Sequence, residues 1–354
     1  MWSQYPRHHK KPHLFVRAVL TALVVLVINP FTMALAAPSR QESTPQERAL
    51  ALLDGMTTEE RIGQLFVVSF DGTEAGPESQ IYDLIVNHHI GGVVLKAEND
   101  NFEPQPQTLR GLIQLTQALQ DTEWSATQDV QIDPFSGQEF TPAFVPLFIG
   151  LAQEGDAAGY DQILPGENSL TPLPSQMAIG ATWQPELARQ AGMVLGQELS
   201  ALGINLLLGP SLDVLDAPQT LGTGDLGVRT CGGDPYWVGE MGRAYVSGLH
   251  QGSEGTIAVI GKHFPGHGSS DRLPEEEVAT VRKSLEQLKL NELPPFEAVA
   301  GNAPSPEASV DGLLASHIRY QGFQGNIRAT TAPVSFDPQA LTALMQLPEF
   351  AGWR

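Results

Sequence analysis

The chain has 354 residues and a mass of 38.1 kDa, enough to bury a large core in one big domain or two modest ones. Hydrophobic residues make up 42% and charged residues 17%, which excludes a disordered or fibrous chain. The formal net charge of −20 argues against nucleic acid as a partner, because its phosphates would be repelled. The single cysteine, Cys231, excludes an internal disulfide and a cysteine-based zinc or iron–sulfur site.

The N-terminal segment has the order of a secretory signal peptide. Basic residues up to Arg17 precede an apolar run over residues 18–28, and small residues around Ala36 follow. The run is shorter than the roughly twenty residues that a membrane-spanning helix needs. We therefore expect a secreted or extracytoplasmic protein that has no stable membrane span after signal cleavage. An uncleaved membrane anchor is the alternative, since later apolar residues could lengthen the span. The expected segments are a signal peptide over 1–36, a polar linker over 37–47 and a domain over 48–354.

The body of the chain alternates short apolar runs with longer amphipathic stretches. Continuous apolar runs are typical of parallel strands buried on both faces, and their alternation with helices indicates the βαβ units of an α/β fold. The predicted strands are residues 65–69, 92–95, 145–151, 205–208, 256–260 and 310–315. The predicted helices are residues 109–119, 185–202, 236–249, 285–300 and 338–347.

A doubly wound sheet and a (β/α)8 barrel both fit this alternation. About six strand–helix units are present, whereas a barrel needs eight. Either the fold is not a closed barrel or the sequence is a fragment. We expect an incomplete (β/α)8 TIM-type barrel, which ends before its seventh strand and leaves two open edges.

Two irregular stretches interrupt the alternation. Residues 122–142 are rich in polar residues, Gly and Pro, and are interpreted as an inserted surface loop. Residues 213–235 follow the fourth strand and hold several Gly and Asp residues. Because loops after strands build the active site of a barrel, the second stretch is the better candidate for function.

The densest motif follows the fifth strand. Lys262 and His263 come at the end of this strand, where barrel sites form, and could hydrogen-bond sugar hydroxyls or a carboxylate. His263 and His267 have the i, i+4 spacing of zinc ligands, but Pro265 and Gly266 between them disfavour a helix, and no HExxH pattern is present. We expect neither a metal nor a cofactor. The alternative interpretation is a turn with two surface histidines.

Stretches along nearly the whole body of the chain match one family. The most diagnostic is KHFPGHG at residues 262–268; the supporting stretches are residues 56–66, 89–95, 173–182, 203–214 and 227–235. Together they resemble the N-terminal domain of glycoside hydrolase family 3, in particular its bacterial β-N-acetylglucosaminidase (β-N-acetylhexosaminidase) branch.

The resemblance implies a carbohydrate substrate and retaining hydrolysis of an O-glycosidic bond. In such hydrolysis a carboxylate attacks the anomeric carbon and a second group protonates the leaving oxygen. The resemblance places Arg229, Lys262 and His263 where the family contacts the innermost sugar, and Asp271 near an aspartate that orients a catalytic histidine. Asp213, at the end of the fourth strand, could hydrogen-bond a ligand or cap a turn.

The chain departs from the family pattern in its catalytic positions. Ala152 stands where the family has a sugar-binding aspartate. Arg272 and Leu273 stand where the family has Ser and the catalytic His, and the next histidine along the chain is His317. The family's nucleophilic aspartate is expected beyond Arg354.

Glutamates follow the shortened loop, and their role is open. Glu275, Glu276 or Glu277 could replace the missing general acid, or could simply start a helix, since acids favour helix N-termini.

Two functions therefore fit the sequence. The first is an exported, β-N-acetylhexosaminidase-like glycoside hydrolase of carbohydrate or cell-wall glycan metabolism. The second is a catalytically impaired relative that binds glycans or a protein partner. A dinucleotide enzyme is disfavoured, because no GxGxxG opens a helix after a strand.

Overall fold

The computed structural model describes residues 44–133, 136–155, 160–218, 226–268, 270–273 and 278–353. The predicted signal peptide and residues 37–43 of the predicted linker lie outside these ranges. Contacts divide the chain after Leu52, and the architecture below is that of residues 53–354. None of the helices in the described ranges has the length and apolarity needed to cross a bilayer.

Helix α1, Pro45–Gly55, begins inside the predicted linker. The backbone amide of Thr44 donates to Glu47 over 2.8 Å, and the amide of Glu47 donates to the Thr44 hydroxyl over 3.2 Å. This reciprocal pattern is a capping box, which starts a helix. The last three residues of the predicted linker are therefore helical.

The main sheet has six parallel strands in chain order, β1-β2-β5-β6-β7-β9, as in a barrel opened along one side. This confirms the prediction of an incomplete barrel, and each of the six predicted strands is present. The strands are β1 (Val67–Val68), β2 (Gly92–Val94), β3 (Gln131–Ile132), β4 (Glu139–Phe140), β5 (Phe148–Leu151), β6 (Leu206–Ser211), β7 (Ala258–Phe264), β8 (Ala279–Val281), β9 (Gly312–Ala315) and β10 (Ile318–Tyr320).

Helices alternate with these strands, as the apolar periodicity predicts. They are α2 (Thr58–Gly63), α3 (Gln80–Val86), α4 (Thr108–Ala126), α5 (Gln176–Gly180), α6 (Pro185–Ala201), α7 (Pro235–Gly252), α8 (Leu285–Gln287), α9 (Leu293–Val299), α10 (Gln321–Gln324), α11 (Pro338–Met345) and α12 (Pro348–Ala351). A π-helical turn, Leu288–Glu292, joins α8 to α9, so the predicted helix over 285–300 is interrupted.

Helices α6 and α7 approach each other closely because glycines line their contact. A Cβ atom at Gly196 would overlap the carbonyl oxygen of Leu249, and one at Gly248 would overlap that of Arg189. The two helices flank β6 and β7, whose carboxyl ends carry the candidate site. Their close packing helps to place these two strands side by side.

Two local predictions differ from the structure. Residues 65–69 were expected to form a buried strand, but Leu65 is 81% and Phe66 55% exposed, because β1 lies at the edge of the sheet. The predicted surface loop over 122–142 begins inside α4 and contains the antiparallel hairpin β3–β4. A second small sheet, the parallel pair β8–β10, is absent from the sequence prediction because both strands are only three residues long.

Candidate functional site

A cleft of ≈ 440 Å³ opens at the carboxyl ends of β2, β5, β6, β7 and β9. Ligand sites of barrels form at this end of the strands. The predicted residues Arg229, Lys262 and His263 all line the cleft, together with Val94, Leu95, Lys96, Ala97, Glu98, Ala152, Glu154, Tyr160, Asp161, Gln162, Leu208 and Leu314.

Glu154 binds two of the basic side chains that line the cleft, those of Arg229 and Lys262. Its carboxylate accepts hydrogen bonds from Nε of Arg229 at 2.7 Å and from Nη2 at 3.0 Å, a two-pronged geometry that fixes the guanidinium plane. It also forms an ion pair with Nζ of Lys262. All three side chains are buried, so one anion holds two cations in place and the cluster keeps an excess of positive charge.

The pKa of Glu154 reflects this arrangement. Burial by itself raises the pKa of a carboxyl, but the charges and hydrogen bonds of Lys262 and Arg229 outweigh burial and lower the pKa of Glu154 to about 2. The carboxylate is therefore ionised across the physiological range. We infer that Glu154 positions the two cations and does not act as an acid.

Arg229 reaches the cleft from the long loop after β6. A 3₁₀ turn, Gly227–Arg229, ends at this residue, and the guanidinium carbon lies 3.5 Å from the centre of the Tyr160 ring. Such a cation–π contact stabilises the charge from one face of the guanidinium, while Glu154 holds its edge through the Nε and Nη2 hydrogen bonds. The prediction that the irregular loop over 213–235 builds the site agrees with this position of Arg229.

His263 is held by Asp213, which comes from the end of the neighbouring strand. Oδ2 of Asp213 lies 2.7 Å from Nδ1 of His263 and accepts from the His263 amide over 3.2 Å. An ionised Asp213 requires the proton on Nδ1, which leaves Nε2 of His263 as the ring nitrogen for a ligand.

Asp213 is fully occupied inside the protein. It also accepts from the Ser211 hydroxyl at 2.8 Å and from the amide of His267. Burial favours a higher pKa, but the charge and hydrogen bonds of His263 and the His267 amide outweigh it and hold the pKa of Asp213 well below its usual range. These contacts orient His263, and the two roles that the sequence left open for Asp213 stay predictions.

The structure places Asp271 apart from the other predicted residues. Its Oδ1 accepts from the amide of Thr280 at 2.8 Å and lies 3.3 Å from Nε of Arg272. It lines a second cavity beside the pair β8–β10, not the cleft of Lys262 and His263. The residues that could replace the missing acid, 275–277, lie outside the described residues.

One departure from the family pattern is visible in the cleft, whereas His317, the next histidine along the chain, does not line it. Ala152 lines it with a methyl group at the position where an aspartate was expected. His317, just after β9, stacks on Phe336 at 5.0 Å between ring centres and hydrogen-bonds to Ser335 over 2.6 Å.

The sequence did not indicate Glu292, a buried acidic residue that packs against the loop after β7. Glu292 is 0% exposed and forms an ion pair with Lys283, whose Nζ also lies 2.7 Å from Asp216. A Cβ atom at Gly266 would lie 2.7 Å from the Cβ atom of Glu292, so this side chain packs directly against the loop. Burial raises the pKa of Glu292 to about 7, although Lys283 opposes the shift.

Other site residues were also missed. Tyr160 stacks on Arg229, and the carboxylate of Asp161 accepts from the amides of Glu154 and Gly155. Neither residue lies in a strand or a recognisable motif, so no periodic signal could have indicated it. The weak signal was their position in the loop after β5, since such loops line barrel sites.

His263 and His267, which have the spacing of zinc ligands, both have hydrogen-bond partners within the protein. His263 is bound to Asp213, and Nε2 of His267 lies 3.0 Å from the carbonyl oxygen of Arg272. Within the described ranges, no group of three or more His, Cys, Asp or Glu side chains is arranged to hold a metal ion.

Comparison with known proteins identifies the family of the chain. The model of the Glycosyl hydrolase family 3 N terminal domain matches residues 57–352. Beta-hexosaminidase A of Pseudoalteromonas piscicida is 27% identical over 283 residues, which cover 75% of this chain and 41% of that protein. A beta-hexosaminidase of Nitrosomonas eutropha is 32% identical over 187 residues, 51% of this chain and 49% of that protein. The chain thus spans about half the length, or less, of these curated relatives.

Solved structures show the same architecture. A glycoside hydrolase family 3 β-N-acetylglucosaminidase from Paenibacillus sp. str. FPU-7 matches with a TM-score of 0.65 and 28% identity, over 82% of this chain and 47% of that one. The β-N-acetylhexosaminidase of Beutenbergia cavernae, at 23% identity, shares the fold with a TM-score of 0.61 over 82% of this chain and 74% of that one. The chain belongs to glycosyl hydrolase family 3, and residues 57–352 are its N-terminal domain.

Proposed function

We propose that the chain binds the innermost sugar of a β-N-acetylhexosaminide and belongs to a glycoside hydrolase that cleaves this sugar with retention. The observation that carries the proposal is the cluster of Glu154, Arg229, Lys262 and His263 at the carboxyl ends of the strands. The relatives, which are beta-hexosaminidases and a β-N-acetylglucosaminidase by name, support the choice of an N-acetylhexosamine.

The cluster has the chemistry to hold a sugar. Lys262 and Arg229 supply charged donors whose direction is set by Glu154, and His263 supplies a ring nitrogen set by Asp213. Donors fixed in this way bind sugar hydroxyls without first losing side-chain freedom.

Retention requires two displacements. A carboxylate attacks the anomeric carbon and forms a glycosyl ester while the leaving oxygen takes a proton; water then cleaves the ester, and the β-configuration returns. The expectation that the nucleophile follows Arg354 stays a prediction, as do the roles of Asp271 and residues 275–277.

Glycan binding without hydrolysis is the second candidate. Ala152 in the cleft cannot make the hydrogen bonds of the expected aspartate, and Asp271 does not line the cleft. A protein with these features would keep the cations and lose turnover.

Parallel assays of the full-length gene product on an aryl N-acetyl-β-glucosaminide and an aryl β-glucoside separate these functions. Hydrolysis of the first substrate that falls about 100-fold in Lys262→Ala, equal to about 2.7 kcal/mol, supports the hydrolase. Lys289→Ala, an exposed lysine outside the cleft, is the matched control and should leave the rate unchanged. Retention would be established if NMR spectra show that the β-anomer is the first product released.

Binding of N-acetylglucosamine is measured in the same variants. No turnover, together with binding that weakens in Lys262→Ala but not in Lys289→Ala, would favour the glycan-binding protein. Absence of both turnover and binding would contradict both candidates.

Export is a separate proposal, based on the residues before the domain. A bacterial host that expresses residues 1–354 should release a protein that begins at Ala37, which N-terminal sequencing would detect. Full-length protein that sediments with membranes would favour the uncleaved anchor instead.

A further inference from the structure

A second cavity lies beside the loop that follows β7, which contributes Asp271 and Arg272 to its walls. Its volume is ≈ 540 Å³, and it adjoins the small sheet β8–β10. Strand β10 begins three residues after β9 ends, and β8 follows the loop that leaves β7. Nε2 of His267 lies 3.0 Å from the carbonyl oxygen of Arg272, which lines this cavity, and the His267 ring centre lies 6.1 Å from that of His263, which lines the cleft, so the two sites are neighbours.

Among the described residues that line this cavity, basic side chains outnumber acidic ones. Its walls include Arg272, Arg282, Arg319 and Arg328 and, among the described residues, one carboxylate, that of Asp271. The whole chain has 20 basic residues against 40 acidic ones, so four arginines in one cavity run against the overall balance. A cavity of this kind attracts an anion, and the acidic surface around it does not.

One arginine builds the cavity and supplies a fixed charge. Nε of Arg319 donates to the carbonyl of Thr331 at 2.6 Å, while its two terminal nitrogens donate to the carbonyls of Ala329 and Val278 at 3.2 and 3.3 Å. These bonds tie the segment before β8 to the chain after α10. The positive charge remains, because carbonyl oxygens do not neutralise it.

Two other arginines are suited to bind a ligand. Arg282 and Arg328 are exposed, and within the described ranges neither side chain is paired with a carboxylate. A guanidinium binds a carboxylate or a phosphate through two parallel hydrogen bonds, which explains why arginine is preferred at such sites. Arg272 differs, because it already contacts Asp271 over 3.3 Å.

We propose that Arg282 and Arg328 bind an acidic group of a glycan whose N-acetylhexosamine occupies the neighbouring cleft. This inference rests on the proposed function for the sugar and adds a substrate class, acidic N-acetylhexosamine-containing glycans. The shared ligand chemistry is an oxyanion, carried by a uronic carboxylate or present as free phosphate.

The test compares three probes by titration calorimetry on the full chain. A hyaluronan tetrasaccharide carries carboxylates beside N-acetylglucosamine, chitotetraose is its neutral counterpart, and inorganic phosphate is the free anion. We expect the hyaluronan probe to bind about tenfold more tightly than chitotetraose at low salt, with a difference that shrinks as salt screens the charges.

The double variant Arg282→Gln/Arg328→Gln should remove this preference and leave chitotetraose binding within about twofold. The control Arg61→Gln/Arg110→Gln removes the same charge from two exposed arginines on α2 and α4 and should keep the preference. Equal binding of both oligosaccharides by the wild type, or loss of the preference in the control, would overturn the site. If none of the three probes binds, the site is overturned as well.

The probes also separate this inference from the proposed function. Failure of chitotetraose to bind, with hyaluronan bound through the two arginines, would contradict the sugar cleft and support the anion site. Phosphate that binds through the arginines, without a preference between the two oligosaccharides, would overturn the glycan as its source.

Discussion

Glu154 is the residue on which the cleft depends most. It is buried between Arg229 and Lys262, and each cation would lose its anionic partner if the charge were removed. We expect Glu154→Gln to lower the free energy of unfolding by about 3 kcal/mol, because breaking a buried pair leaves uncompensated charge. Urea denaturation near neutral pH measures this.

Glu186→Gln is the matched control for that change. Glu186 pairs with Arg189 on the surface of α6, where water screens the charges, and its loss should leave the unfolding free energy nearly unchanged. Similar effects of the two substitutions would contradict the central role of Glu154.

Glu292 makes the stability depend on pH. Burial raises the pKa of Glu292 from 4.5 to about 7 in the folded chain. The folded state therefore holds a proton that the unfolded state releases, so the contribution of this group to stability is lost as the pH rises through this window. Unfolding free energies of the wild type and Glu292→Gln, measured from pH 4.5 to pH 7, should diverge by about 3 kcal/mol, with the wild type losing stability. Parallel pH profiles would refute the assignment.

The backbone of the loop after β7 requires a glycine at position 268. Gly268 has φ +48°, and a Cβ atom there would overlap the carboxylate of Glu292. Gly255 also has a positive φ, +73°, but has open space around it. Both changes to alanine carry the backbone cost of a left-handed residue, whereas only Gly268→Ala adds a clash.

We therefore expect Gly268→Ala to destabilise the chain by about 2 kcal/mol more than Gly255→Ala. Denaturant midpoints and slopes of the two variants provide the comparison. Equal destabilisation would mean that Glu292 moves away freely and does not support the loop.

At the scale of the whole molecule, strand β1 forms one edge of the sheet that the described residues build. Among the described residues, β1 pairs only with β2, and Phe66 and Val67 are exposed beside its unpaired backbone groups. Such an edge can pair with a second chain. We expect concentration-dependent self-association in sedimentation velocity experiments, reduced by Val67→Lys, because a charged edge resists pairing.

Ile113→Lys is the control for the edge variant. Ile113 is also an exposed apolar residue but lies on α4, which has no free backbone groups along its length. Self-association that persists in Val67→Lys, or that both substitutions reduce equally, would contradict pairing through β1.

The six strands, most of the helices and the family were predictable from the sequence, because they depend on local patterns. An apolar run or a 3.6-residue period is a property of neighbouring residues, and KHFPGHG is contiguous. The pattern also indicated the place of the site, since parallel strands bring their carboxyl ends together. It indicated Lys262 and His263, and the resemblance to the family implied Arg229 as well; all three line the cleft.

Only the tertiary structure decided how these residues are held. The register that pairs Ser211 with Lys262 brings Asp213 beside His263, and Glu154 meets Arg229 across 75 residues of chain. The small sheet β8–β10 likewise gathers arginines from distant segments around one cavity. Contacts of this kind depend on strand register and loop path, which are set by the packing of the whole domain and leave no periodic trace in the sequence.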